Sequence, residues 1–171
     1  MPARLVRSQD TQQFHFITFS CYERKPLLAT DHAKETVERI LQQVRAERRL
    51  CIAAYVLMPE HVHLLINEPP EIPLAQFLKS LKQITSRRLK GDRKQFWLDR
   101  YFDANVHGED ARSEVIRYIH RNPVKRGLVC APEQYRWSSF RHYATGEQRV
   151  VEIESEWVAS IRRPLIAIKL R

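Results

Sequence analysis

Along residues 14–22, FHFITFSCY, apolar and polar positions alternate, and the run is rich in aromatic and β-branched side chains. That pattern predicts a strand. A different rhythm follows Asp31. Val37, Ile40, Leu41 and Val44 recur at i, i+3, i+4 and i+7, which predicts one amphipathic helix over 31–49 with Asp31 before it. Residues 51–57, CIAAYVL, read as a second strand. Met58-Pro59-Glu60 is a turn, because proline presets φ and cannot donate to a ladder. Residues 61–67 return as a third strand and complete a hairpin. Pro69, Pro70 and Pro73 interrupt the chain, and Pro73 suits the first position of the next helix. Leu74, Phe77, Leu78, Leu81, Ile84 and Leu89 form the buried stripe of that helix, and its other face carries Lys79, Lys82, Arg87, Arg88 and Lys90. Residues 91–95, GDRKQ, are a polar loop, and 100–107, RYFDANVH, a fourth strand. Asp110 opens a third helix, closed at Asn122-Pro123 because a residue before proline disfavours helical geometry.

The resulting order, β-α-β-β-α-β-α, is that of an α+β fold: a ferredoxin-like split βαβ, an antiparallel sheet with helices packed on one face and an added helix. Beyond about residue 130 the aromatics Tyr135, Trp137, Phe140, Tyr143 and Trp157 follow no clear period, and the last eight residues read as a loosely held apolar end. No internal repeat, low-complexity tract or firm boundary appears, so one domain over 1–171 is expected.

Composition sharpens this in one respect. The 171 residues hold 29 Lys and Arg against 20 Asp and Glu, a net charge of +9, with a pI near 9.8. Such a balance favours polyanions, above all nucleic acid. No run approaches the ~18 apolar residues of a membrane span, and the N-terminus, MPARLVRSQDTQQ, has no apolar stretch of the signal-peptide kind. Cys21, Cys51 and Cys130 are odd in number and far apart. They make neither a disulfide framework nor a CxxC site, so a reducing cytoplasm is the expected setting.

Candidate chemistry begins inside the third strand. In LMPEHVHLLI, residues 57–66, alternate side chains share a face, so His61 and His63 point one way while Val62, Leu64 and Ile66 point the other. The apolar side can pack on helices and leave the histidine side open. Two imidazoles about 7 Å apart, from a rise of ~3.4 Å per residue, can converge on one divalent ion, with further ligands still needed. A surface HxH pair alone more often has no such role. Glu60, just before the pair, either orients a histidine or is a solvated turn carboxylate.

A second stretch changes the balance: VIRYIHRNPVKRGLV, residues 115–129. Residues four apart share a helix face, so Tyr118 and Asn122 lie together. His120, two residues after Tyr118, points about 160° around the helix and is discounted. His107, ending the fourth strand, is a substitute ligand to consider.

HVH after MPE, then YIHRNPVKRGLV, then RWSSF at 136–140, together resemble the single-tyrosine HUH transposases, and especially the branch associated with repetitive extragenic palindromes. The pattern spans roughly residues 14–143, with 144–171 as a C-terminal extension. This resemblance implies a metal-dependent domain that cleaves and rejoins single-stranded, hairpin-forming DNA through a 5′-phosphotyrosine. It implies Tyr118 as nucleophile and His61, His63 and Asn122 around Mg²⁺ or Mn²⁺; the family often has glutamine where this chain has Asn122. Relatives of this type act as monomers or homodimers. For DNA contact, Lys79, Lys82, Arg87 and Arg88 come first, then Arg24 and Lys25, with Lys125 and Arg126 beside the tyrosine. Two other readings stand beside this one: a non-catalytic single-stranded DNA or RNA-binding module, and a phosphodiesterase that uses water with Tyr118 structural.

Overall fold

The computed structural model describes residues 14–155 and Val158. The expectations for Trp157 and for the last eight residues lie outside them. Four strands, β1 (Phe14–Cys21), β2 (Ile52–Leu57), β3 (His61–Asn67) and β4 (Trp97–Val106), form one antiparallel sheet in the order β2-β3-β1-β4. Helices α1 (Asp31–Glu47) and α2 (Leu74–Leu89) connect β1 to β2 and β3 to β4. This is the ferredoxin-like α+β arrangement that the element order predicts.

The register explains which side chains meet. β1 pairs with β3 so that Thr18 opposes His63, and with β4 so that Thr18 also opposes Phe102. Ile17, Phe19, Val62, Leu64 and Ile66 therefore lie on one face, where α1 and α2 cover them and all are 1 % exposed or less. Burying each such side chain contributes about 1.5–3 kcal/mol. Tyr55 Oη donates to Glu38 of α1 at 2.7 Å, and Trp97 Nε1 donates to Thr85 of α2 at 2.8 Å, tying both helices to this face.

The opposite face carries His61 and His63, and it is not open. Helix α3 (Gly108–Lys125) packs across β2 and β3, leaving His61 8 % and His63 5 % exposed. One added helix is thus set against the face that α1 and α2 leave free. A strand buried on both sides needs a layer on each. β3 is such a strand, since its first six residues are all buried.

Several boundaries differ from the sequence reading. Thr30, not Asp31, caps α1: its side chain accepts from Ala33 N at 3.2 Å, and Asp31 is the first helical residue, well placed on the helix dipole. Pro73 precedes α2 rather than opening it. β4 begins three residues early because Trp97 is buried. α3 begins at Gly108 and runs through Asn122-Pro123 to Lys125. Pro123 thus sits inside the last turn, and the helix closes just beyond it. Gly127 takes a φ of 71°, and Leu128 N donates to Pro123 O at 2.9 Å, the closing bond of a Schellman-type stop.

The tail without periodicity is an edge cover. Leu57 N donates to Trp137 O at 2.8 Å, Ser139 N to Tyr55 O at 3.0 Å, and Tyr55 N to Ser139 Oγ at 3.0 Å. Residues 137–139 thereby occupy the free edge of β2, which would otherwise expose unpaired ladder groups. A short helix, α4 (Phe140–Thr145), follows.

Candidate functional site

Met58 N donates to His61 O at 2.9 Å across the β2–β3 turn, and Cys21 N donates to Glu60 O at 2.8 Å. These bonds fix the start of β3. The two imidazoles, one residue apart in the chain, lean together: their ring centroids are 4.5 Å apart and their Nε2 atoms 3.0 Å apart. Each Nδ1 has its own partner, Glu60 Oε1 at 3.1 Å for His61 and Thr18 Oγ1 at 2.7 Å for His63. A carboxylate only accepts, so His61 carries its proton on Nδ1 and turns a lone pair inward on Nε2.

Burial keeps both rings uncharged. It pushes His63 down to about 3, helped by the neighbouring His61, and lowers His61 as well, against the opposing pull of Glu60. Neutral imidazole is the form that binds metal.

Asn122 reaches the same point from α3. Its Nδ2 stands 3.2 Å from His63 Nε2, while its Oδ1 is buried without a hydrogen-bond partner. A buried polar atom left unpaired costs about 1–3 kcal/mol. Among the described residues no group of three or more His, Cys, Asp or Glu converges; the side chain that meets the imidazole pair from α3 is this amide. Two imidazole nitrogens 3.0 Å apart and an amide with an unpartnered oxygen are donor types that fit a divalent cation, once the amide turns its oxygen rather than its nitrogen toward His63.

Tyr118 stands at the margin of this cluster. Its ring centroid is 5.5 Å from that of His63 and 5.7 Å from that of Phe16, and the residue is 42 % exposed. The contrast with Tyr55 and Tyr135 is informative. Both are buried, with hydroxyls donated to Glu38 and to Leu57 O. The Tyr118 ring faces solvent beside the imidazoles, with Lys125 Nζ 5.6 Å from its centroid. Ile119, the next residue, is fully buried and anchors the helix on the sheet.

Glu60 links the two motifs. Besides His61 it accepts from Arg126 Nη2 at 2.6 Å. Arg126 is thus committed to an ion pair, and Arg24 lies close enough to His61 to act on it electrostatically. His120 is buried and bonded to Ser139 Oγ at 2.7 Å, away from the imidazole pair. His107 is exposed at the N-cap of α3, fifteen positions before Asn122, or about 22 Å along a helix. It is therefore no substitute ligand.

The basic residues divide. Lys79, Lys82, Arg87 and Arg88 all lie on α2, behind the sheet from His61 and His63. Lys79, Lys82 and Arg87 line a hollow of about 620 Å³ with Lys90, Lys94 and Tyr101. Arg88 lines a separate one with His32 and Arg39. Lys82 bonds the carbonyls of Leu98 and Asp99 at 2.5 and 3.0 Å, and burial lowers its pKa, so it serves the β4 backbone. Lys25 pairs with Glu23 at 2.5 Å. Thr18 and Phe16 escaped the sequence reading, because only the β1–β3 register reveals that they face His63.

The chain is similar to known proteins in sequence and in fold. The family model described as "Transposase IS200 like" matches residues 8–122. A REP-associated tyrosine transposase of Haemophilus influenzae is 24 % identical over 146 residues, 78 % of this chain and 82 % of its own length. The ISDra2 transposase TnpA of Deinococcus radiodurans is 29 % identical over 77 residues, 45 % of this chain and 54 % of its own. The solved structure of a REP-associated tyrosine transposase bound to a REP hairpin superposes with a TM-score of 0.73 at 22 % identity, covering 90 % of this chain and 92 % of that one.

Proposed function

Since the chain belongs to the IS200-like transposase family, we propose that it cleaves and rejoins single-stranded DNA carrying a hairpin, with Tyr118 as nucleophile. The observation that carries this reading is the meeting of an exposed phenol from α3 with two inward-facing imidazoles from β3. Binding alone requires neither.

The Tyr118 oxygen attacks the phosphorus of a phosphodiester. A Tyr–O–P bond forms, the bond to the 3′ oxygen breaks, and the proton leaving the phenol is balanced by one that the 3′ oxygen takes up from solvent. The products are a 5′-phosphotyrosyl strand and a free 3′-hydroxyl. Because the phosphodiester energy is retained in the covalent link, attack by a 3′-hydroxyl rejoins strands without ATP. His61, His63 and Asn122 would hold Mg²⁺ or Mn²⁺, which when bound polarises a phosphoryl oxygen and neutralises charge developing at the transition state.

The remaining residues position these groups. Glu60, braced by Arg126, keeps His61 in one tautomer, and Thr18 holds the His63 ring in place through its Nδ1. Lys125 sets a positive charge beside the phenol, where the DNA phosphate must sit. The superposable relative is bound to a REP hairpin, which supports hairpin DNA as the partner. No helix among the described residues is long and apolar enough to cross a membrane. With DNA as the partner, a cytoplasmic protein is part of this proposal.

The test is incubation with Mn²⁺ and end-labelled hairpin DNA, followed by a denaturing gel. A labelled protein band that disappears with Tyr118→Phe supports the proposal. Cleavage that leaves free ends and no covalent band, or that persists in Tyr118→Phe, transfers the chemistry to water and overturns it.

A further inference from the structure

Helix α3 roofs only half of the histidine face. Over β2 and β3 that face is closed: Ala54, Val56, His61, His63 and Leu65 are all buried. Over β1 and β4 it is not. Phe16, Thr18 and Ala104 are only partly covered there, and Phe102 is 48 % exposed. A phenylalanine left so bare on a strand is ordinary when isolated. This one is part of a continuous aromatic run. Phe102 meets Phe16 edge-on at 6.1 Å between centroids, and Phe16 meets both His63, at 5.3 Å, and Tyr118, at 5.7 Å. The run leads from open solvent to the reacting phenol.

We infer that Phe102, backed edge-on by Phe16, is the stacking floor for the unpaired nucleobase next to the phosphate that Tyr118 attacks. The inference rests on the single-strand cleavage reading and names a subsite for it. Base faces are flat and apolar, and stack on aromatic side chains without regard to sequence. A duplex offers no such face, since its bases are already stacked. The surroundings suit the attached backbone: Arg100 is exposed two residues before Phe102 on β4, and Arg112 lies 5.3 Å over the ring of Phe14 on β1. The strip is thus an aromatic floor bordered by cations and continuous with the candidate site.

The experiment uses a fluorescein-labelled, random-sequence single-stranded DNA of about 12 nucleotides, a length within the range of single-strand site sizes measured for OB-folds. Its affinity is measured for the wild type, Phe102→Ala and Phe102→Trp over a range of salt. Phe102→Ala is expected to bind roughly tenfold more weakly, in line with the loss of one stacked base, and Phe102→Trp to bind as the wild type does. The slope of log affinity against log salt is expected to stay the same, since no cation is removed. Equal affinities for wild type and Phe102→Ala, including no measurable binding by either, overturn the floor. So does a tryptophan variant as weak as the alanine one, or a changed salt slope. With 5-iodouracil in the DNA, ultraviolet crosslinks are expected on β1 or β4; crosslinks confined to α2 overturn it too. Binding defects of this kind in a protein that forms no covalent adduct would leave the floor standing and reject the cleavage chemistry instead.

Discussion

Arg126 donates to Glu60 at 2.6 Å, joining the end of α3 to the turn that launches β3. The same carboxylate oxygen stands 3.1 Å from His61 Nδ1. One ion pair therefore fixes both a ring tautomer and the approach of the helix that carries Tyr118. Glu60→Gln removes the charge and keeps the shape. Its expected effect is a rise of roughly 10–100-fold in the Mn²⁺ concentration needed for half-maximal adduct formation, the usual cost of losing a partner behind a ligand, with the rate at saturating Mn²⁺ close to wild type. Arg126→Gln should shift it less, because Arg126 is exposed and exposed pairs contribute little. A fall in rate that no Mn²⁺ concentration restores would assign Glu60 another role.

Asn122 poses a trade between stability and ligation. Its Oδ1 is buried and unpartnered, so Asn122→Leu, close in volume, should stabilise the metal-free protein by about 1 kcal/mol in urea denaturation. The same variant should lose most of the heat of Mn²⁺ binding in titration calorimetry. Asn122→Asp should bind Mn²⁺ more tightly than wild type, as a carboxylate replaces an amide among hard-cation ligands. Unchanged Mn²⁺ binding by Asn122→Leu would remove Asn122 from the ligand set.

Much of this site could be read from the chain because its parts follow short-range rules. Alternation along a strand sets His61 beside His63, and a four-residue step on a helix sets Tyr118 beside Asn122. What could not be read depends on long-range pairing. Thr18 reaches His63 only through the β1–β3 register, and Trp97 extends β4 by pairing with Cys21, its buried indole donating to Thr85. The charged stripe of α2 was legible as a stripe, but nothing in a helix says which sheet face it will cover. Lys79 and Arg87 accordingly lie behind the sheet from the imidazoles.

His15 supplies a pH signature far from the site. It is fully buried, 2.8 Å from Asp103 and 3.1 Å from Glu68. Burial alone would lower its pKa, but the two carboxylates outweigh it, and the net shift is upward from 6.5. A folded value above the unfolded one means that the stabilisation is complete below about pH 6.5 and fades as pH rises through the folded value. Thermal midpoints of wild type and His15→Gln should therefore diverge most in mild acid and converge as pH rises. A gap that widens toward alkaline pH would contradict the assignment.

Lys82 and Lys125 should separate under salt. Lys82 is held by two backbone carbonyls of β4, so its ammonium is already committed, whereas Lys125 is exposed beside Tyr118. Each phosphate contact that is lost lowers the slope of log affinity against log salt by about 0.7 to 1, single strands lying at the lower end. Lys125→Ala should show that loss on single-stranded DNA with its melting temperature unchanged. Lys82→Ala should show the reverse: an unaltered slope and a lower melting temperature, because two carbonyls at the edge of β4 lose their donor. If Lys82→Ala also lowered the slope, the lysine would have to leave those carbonyls for a phosphate. DNA would then reach around the sheet to α2, and the hollow beside Lys79 and Arg87 would be part of its path.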